Sequence, residues 1–192
     1  MRKLNFILIA TVGCSFLTSL SHGQDATVLL PAPATKLESL ETNVGIVIIK
    51  ASTEIGVLSV NTGVVSVKCR EVTDETGRKE RGIAVEIGQK GQLKDRMLID
   101  NDELNPLLNG LGYLNKLETS VTSLNAFDAV YTTKGGFRIA ALGNRRTGSI
   151  QFAVRDARLS LSPVLLSRQE MTQFCVYMDQ AKKQLDLLGQ KQ

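Results

Sequence analysis

Twice along this chain, a run of short alternating segments ends in a helix with one apolar stripe, and that repetition limits the fold more than any other feature. In the first run, Val64 to Val72 and Ile83-Ala84-Val85-Glu86-Ile87 alternate apolar with polar residues. The charged stretch between them, from Thr73 to Glu80, predicts a hairpin with a solvated tip. Val44-Gly45-Ile46-Val47-Ile48-Ile49 and Gly56-Val57-Leu58-Ser59-Val60 read as two earlier strands, and Met97-Leu98-Ile99 as a later one. A helix follows: Leu104, Leu107, Leu108, Leu111, Leu114 and Leu117 recur at three- and four-residue spacing, which places them on one face. Asp100, Asn101, Asp102 and Glu103 offer an N-cap and negative charge at its start. Pro106 falls near the first turn, where its missing N–H is tolerated. Gly110 and Gly112 each cost about 1 kcal/mol relative to alanine, so something packs closely on this helix or the helix is weak.

The second run repeats the design. Phe127-Asp128-Ala129-Val130-Tyr131, Phe137 to Leu142, Ile150 to Val154 and Leu159-Ser160-Leu161 read as strands, separated by turns at Thr133–Gly136 and Gly143–Gly148. In the closing helix, Ser167 and Glu170 have capping-box spacing, and Leu166 and Met171 stand at the staple positions. Met171, Phe174, Cys175, Met178, Ala181 and Leu185 form its stripe, and Gly189 stops it. Arg96-Met97-Leu98-Ile99 before the first helix echoes Arg158-Leu159-Ser160-Leu161 before the second. The expectation is an α+β fold of antiparallel sheets with two amphipathic helices. It comprises one domain over residues 43–192, built as a degenerate duplication with halves 43–120 and 126–189.

The N-terminus reads differently. Arg2 and Lys3 precede an apolar run from Leu4 through Leu20, and Ser21-His22-Gly23 places small residues at a cleavage site between Gly23 and Gln24. Asn5, Thr11, Gly13, Ser15, Thr18 and Ser19 make the run too short and too polar for a membrane anchor of about 20 apolar residues. The expectation is an exported protein, periplasmic or secreted, with no membrane span after cleavage. Lipid anchoring through Cys14 is the alternative, since Gly13 supplies the small preceding residue. Residues 24–42, with Pro31 and Pro33, read as an extended leader or linker.

Cleavage after Gly23 removes His22, the only histidine, and leaves a chain of net charge +2 without tryptophan. Ser-His-Asp and Cys-His catalysis and histidine zinc sites are then excluded. Two cysteines remain, Cys69 and Cys175, each on an apolar face. Two buried free thiols and a disulfide in an oxidising compartment are both open readings. The acidic residues Asp100, Asp102 and Glu103 lack the loop glycine and later glutamate of a calcium loop and read as helix capping. Arg145 and Arg146 lie in a turn and could meet phosphate, although surface arginines in turns are commonplace. Phe137 and Phe152 on strands could stack bases if exposed, or fill the core beneath the helices.

The order of several strands and a helix, stated twice over residues 64–117 and 127–188, resembles the Whirly group of single-stranded-DNA binders in topology. That resemblance implies a two-sheet α+β fold and nucleic-acid binding. The basic KGNKAK stretch of that group has as its nearest counterpart Lys134-Gly135-Gly136-Phe137-Arg138, which keeps a lysine and a glycine. Residues 102–127, including Ser120-Val121-Thr122-Ser123-Leu124, also look like a group of uncharacterised small bacterial exported proteins, which implies no activity.

These observations predict no catalytic, cofactor or metal residues. The expected function is an exported, non-catalytic binding or interaction protein that offers a sheet face or edge to a protein, glycan or surface partner. A histidine-free enzyme built on Ser, Lys, Asp or Glu and a single-stranded nucleic-acid binder are the alternatives, and the near-neutral charge speaks against nucleic acid.

Overall fold

The computed structural model describes residues 32–88, 95–159 and 162–190, and these form one compact unit. The Gly23–Gln24 cleavage site, Cys14 and residues 24–31 of the leader lie outside the described residues.

Two four-stranded antiparallel sheets and three helices make up the α+β fold. The first sheet takes the order β1 (Ile48–Val60), β2 (Gly63–Asp74), β3 (Lys79–Gly88), β4 (Asp95–Asp100). The second takes β5 (Ala126–Thr132), β6 (Phe137–Asn144), β7 (Ser149–Asp156), β8 (Val164–Leu166). Helix α1 (Lys36–Glu41) precedes the first sheet, α2 (Leu104–Asn115) follows it, and α3 (Arg168–Gly189) follows the second.

Alternation explains the core. Val65, Val67 and Cys69 of β2 share a face with Ile83, Val85 and Ile87 of β3, and all are buried. They join Phe137, Ile139, Phe152 and Val154 of the second sheet and the stripes of α2 and α3 in one cluster. The ring of Phe137 stacks on Phe174 of α3 at 5.9 Å. The helices tie the halves together: α2 packs on β5 and β6, while α3 lies between the sheets, against β1, β2 and β3 and also β7 and β8. Close contacts seat both. An added Cβ at Gly110 of α2 would lie 2.5 Å from the Tyr131 ring, and one at Gly56 of β1 would lie 2.5 Å from Tyr177. Arg168 at the head of α3 donates to the carbonyls of Asn115 and Leu117, satisfying groups that a helix end leaves unpaired.

Four expectations are corrected. The leader is not extended throughout. Thr35 caps α1 by accepting from the Glu38 amide, and Leu37 and Leu40 bury themselves on Val72, Ala84 and Leu98. Six residues are too few for helical periodicity to stand out in the sequence. The two strands expected at 44–49 and 56–60 are one 13-residue strand, with a bulge between Glu54 and Gly56. Its middle is exposed and lacks an apolar alternation, so pairing with β2 defines it instead. The last strand is Val164–Leu166 and not Leu159–Leu161; Leu159 follows a turn, and Ser160 and Leu161 lie outside the described residues. Finally, no side chain among Asp100–Glu103 caps α2. Asp100 accepts from the Lys36 and Leu37 amides at 2.8 and 3.1 Å, so it caps α1, which is 63 residues away along the chain.

Candidate functional site

The outer faces of the two sheets, those turned away from the shared core, differ in what covers them. On the first sheet, α1 roofs Val72, Ala84 and Leu98. Its last residue, Glu41, projects a carboxylate only 5% exposed that meets Arg70 at 2.8 Å, Arg96 at 2.9 Å and Lys50 at 3.5 Å. Beside them Lys68 pairs with Glu86 at 2.8 Å. Arg70, Arg96 and Lys68 are therefore neutralised within the chain, and Lys50, the most distant of Glu41's partners, only in part. At the other end of α1, Glu38 joins Asp156 in holding Arg158, whose pKa is raised above its ordinary range by the Asp156 carboxylate first and Glu38 second.

No helix covers the corresponding face of the second sheet. Strand register defines its surface in three rows. Val130, Ala140, Ala153 and Leu165 form an apolar row across all four strands. Thr132, Arg138 and Arg155 form the row on one side, and Asp128, Leu142 and Gln151 the row on the other. The small alanines leave a concavity of about 270 Å³, walled by the arginines, Val130, Leu142 and Pro163. Arg138 and Arg155 are directly opposite each other and half-buried. Among the described residues neither has an ion-pair or hydrogen-bond partner. Like charges directly opposite across strands destabilise a sheet, yet two converging guanidinium groups suit the oxygens of a carboxylate or phosphate. Arg138 and Leu142 are four residues apart on β6, so the floor spans about 13 Å. Asp128 at the far end disfavours an anion there and gives the groove a polarity.

Other candidate residues are occupied with structure. A second concavity, about 320 Å³, is lined by Lys36, Asp100, Asp102 and Arg81 among others. Its groups serve one another: Lys36 pairs with Asp102 at 3.0 Å, Arg81 with Glu71 at 2.6 Å, and Asp100 caps α1. The Lys36 ammonium holds the Asp102 carboxyl below the usual carboxylate range. Glu103 accepts from the Lys134 amide at 2.9 Å. Among the described residues, no group of three His, Cys, Asp or Glu side chains is placed to hold a metal ion.

Cys69 and Cys175 are both free thiols. Cys69 is buried and donates from Sγ to the Ala181 carbonyl at 3.4 Å, while Cys175 is half-buried two turns earlier on α3. Burial pushes each pKa up to about 11. Phe137 and Phe152 are fully buried, so neither ring is available to stack on a base. Arg145 of the β6–β7 turn donates to the Ser123 carbonyl at 2.8 Å, and Arg146 is exposed. No helix among the described residues is long and apolar enough to cross a membrane.

The arginine pair is not among the residues the sequence singles out, although the hairpin register carries its signal. The β6–β7 turn pairs Asn144 with Ser149, and counting back along both strands sets Arg138 against Arg155.

Compared with known proteins, the chain matches no family model, no curated protein and no solved structure.

Proposed function

We propose that this chain is an exported, non-catalytic binding module, and that it takes an anion with an apolar body on the outer face of its second sheet. The signal-like residues 1–23 support export. The absence of histidine after them supports a role without acid–base chemistry of the usual kind. One observation carries the ligand: Arg138 and Arg155 face each other, unpartnered, at the end of an alanine-floored groove. Relief of their mutual repulsion by a bound carboxylate or phosphate would add to the hydrogen bonds it accepts. The apolar row alongside would cover an alkyl chain of about 10 Å.

The test follows the Ala140 and Ala153 methyl signals of the mature chain by NMR during titration with octanoate, octyl phosphate, inorganic phosphate and octyl glucoside. Octanoate and octyl phosphate are expected to shift both methyls, and octyl glucoside to leave them in place. The double variant Arg138→Gln/Arg155→Gln loses a like-charge contact and stays folded by circular dichroism, yet binds at least about tenfold more weakly. Equal shifts with octyl glucoside, unchanged binding by the double variant, or no response to octanoate and octyl phosphate would each refute the reading.

A further inference from the structure

The two sheets present four edges, and three are protected. Thr62 in the β1–β2 turn closes the edge of β8: its hydroxyl accepts from the Leu165 amide at 2.8 Å and donates to the Leu165 carbonyl at 3.2 Å. The β5–β6 turn closes the edge of β4, with Gly135 so near that an added Cβ would lie 1.9 Å from the Leu98 carbonyl oxygen. Strand β5 is short, seven residues, and α2 packs beside it. The edge of β1 is the exception. It runs for 13 residues and contains no proline, and its first half is mostly exposed. Ile49 is 61% exposed, and Val47 just before the strand is 63% exposed. A long edge of unpaired amides and carbonyls with apolar side chains is a template for another strand.

The sequence of β1 identifies that strand. Antiparallel pairing of two copies about Ser52 sets Lys50 of each against Glu54 of the other, and Ile49 against Ile55. Lys50 and Glu54 lie opposite Val72 and Lys68 on the outer face of the first sheet; Ile49 lies on the inner face, and Ile55, at the bulge and without a partner on β2, packs against the inner core, so each pair meets on one side. Glu54 has no ion-pair partner among the described residues; its cross-strand neighbour Lys68 is held by Glu86. Lys50 is 41% exposed and touches Glu41 only at 3.5 Å. Sliding one strand by four residues sets Lys50 against Lys50 in one direction and Glu54 against Glu54 in the other, and sliding it by two sets Lys50 or Glu54 against Ser52. One register alone is satisfied by charge.

We infer that two copies of this chain dimerise through β1 in that register, joining their first sheets into one continuous eight-stranded antiparallel sheet. The arginine groove lies on the other sheet, so the dimer would carry two independent grooves.

Sedimentation velocity on the mature chain over micromolar concentrations tests association. The wild type is expected to shift reversibly from monomer to dimer. Glu54→Lys, which removes no contact within the chain, weakens the dimer about tenfold by turning two attractive pairs repulsive. Lys50→Glu/Glu54→Lys regains it. Register is read by crosslinking: with oxidised glutathione present, Ser52→Cys is expected to form a disulfide dimer because the two Ser52 positions face each other. Glu54→Cys is expected not to, because its counterpart lies far along the strand. A wild type that stays monomeric, Glu54→Lys that dimerises unchanged, or Glu54→Cys that links as readily as Ser52→Cys would overturn the inference.

Discussion

Cys69 shows how far a buried side chain can depart from its behaviour in water. Its Sγ lies beneath α3 against the Ala181 carbonyl, and burial pushes its pKa up to about 11, as it does for Cys175. At pH 8 a thiol of that pKa is on the order of a hundredfold poorer in thiolate than an ordinary cysteine. In the chain from Gln24 onward both cysteines are therefore expected to react with a disulfide reagent far more slowly than free cysteine. Unfolding in guanidinium should then release two thiols per chain. Titration of none in the unfolded chain would mean a disulfide and refute the free-thiol state. Glu41 carries the opposite lesson about charge. Its carboxylate is the shared counter-ion of Arg70, Arg96 and Lys50, and the side chain is nearly buried. Glu41→Gln leaves three cations facing an amide. Two of the three remain partly hydrated, so the expected loss is about 2 kcal/mol, below the figure for a fully buried pair. Urea unfolding of the two proteins measures it.

Helix α2 separates two glycines that look alike in sequence. Gly112 has nothing within 4 Å of an added Cβ, whereas Gly110 has the Tyr131 ring at 2.5 Å. Gly112→Ala is thus expected to stabilise the protein by up to about 1 kcal/mol, the intrinsic helical difference. Gly110→Ala should destabilise it by about 1–3 kcal/mol through overpacking. Chemical denaturation of both variants decides the matter, and a shift of the same sign in both would refute the packing account. This pair also marks the limit of the sequence reading. The leucine stripe, the capping box of α3 and the alternation of β2 and β3 were legible because each is a local pattern that burial on one face imposes. A close approach is one of the two readings these glycines allow, but the partner is not legible, because Tyr131 comes from the other half of the chain. Helix α1 is hard to read for a related reason: its Thr35 cap is local, but the helix has only six residues, and its second anchor, Asp100, and its floor, Val72, Ala84 and Leu98, lie far along the sequence. Most of the fold is legible locally, whereas the candidate groove depends on a hairpin register that holds for six residues from the turn.

The duplicated pattern acquires a structural meaning at the level of the whole molecule. The first hairpin turn of each half covers the last strand edge of the other: Thr62 at Leu165, and Gly135 at Leu98. With α2 packed on the other half's sheet and α3 on both sheets, the two halves share one core, and the described unit is expected to unfold in one transition. Its pH dependence follows from the groups that tie it together. The Lys36 ammonium holds Asp102 low, and the Thr76 hydroxyl leads the bonds that hold Asp74 low. Against the upward push of burial, Arg81 and Lys79 hold Glu71 low too. A carboxylate with a depressed folded pKa stabilises the fold above its unfolded value, near pH 4, and that stability is lost as the pH falls through the folded value. The thiols act in the opposite direction. Their folded pKa, about 11, lies above the unfolded value, so the stability they add is complete below about pH 8.5 and is lost as the pH rises towards 11. Lys36, raised by Asp102, adds to the same alkaline loss. The midpoint of thermal unfolding, followed by circular dichroism, is therefore expected to be level from about pH 5 to 8.5 and to fall on both sides. Cys175→Ala should flatten the alkaline limb and leave the acid limb unchanged, because only the thiol is lost. An alkaline limb as steep in that variant as in the wild type would show that the Cys175 thiol does not contribute to it.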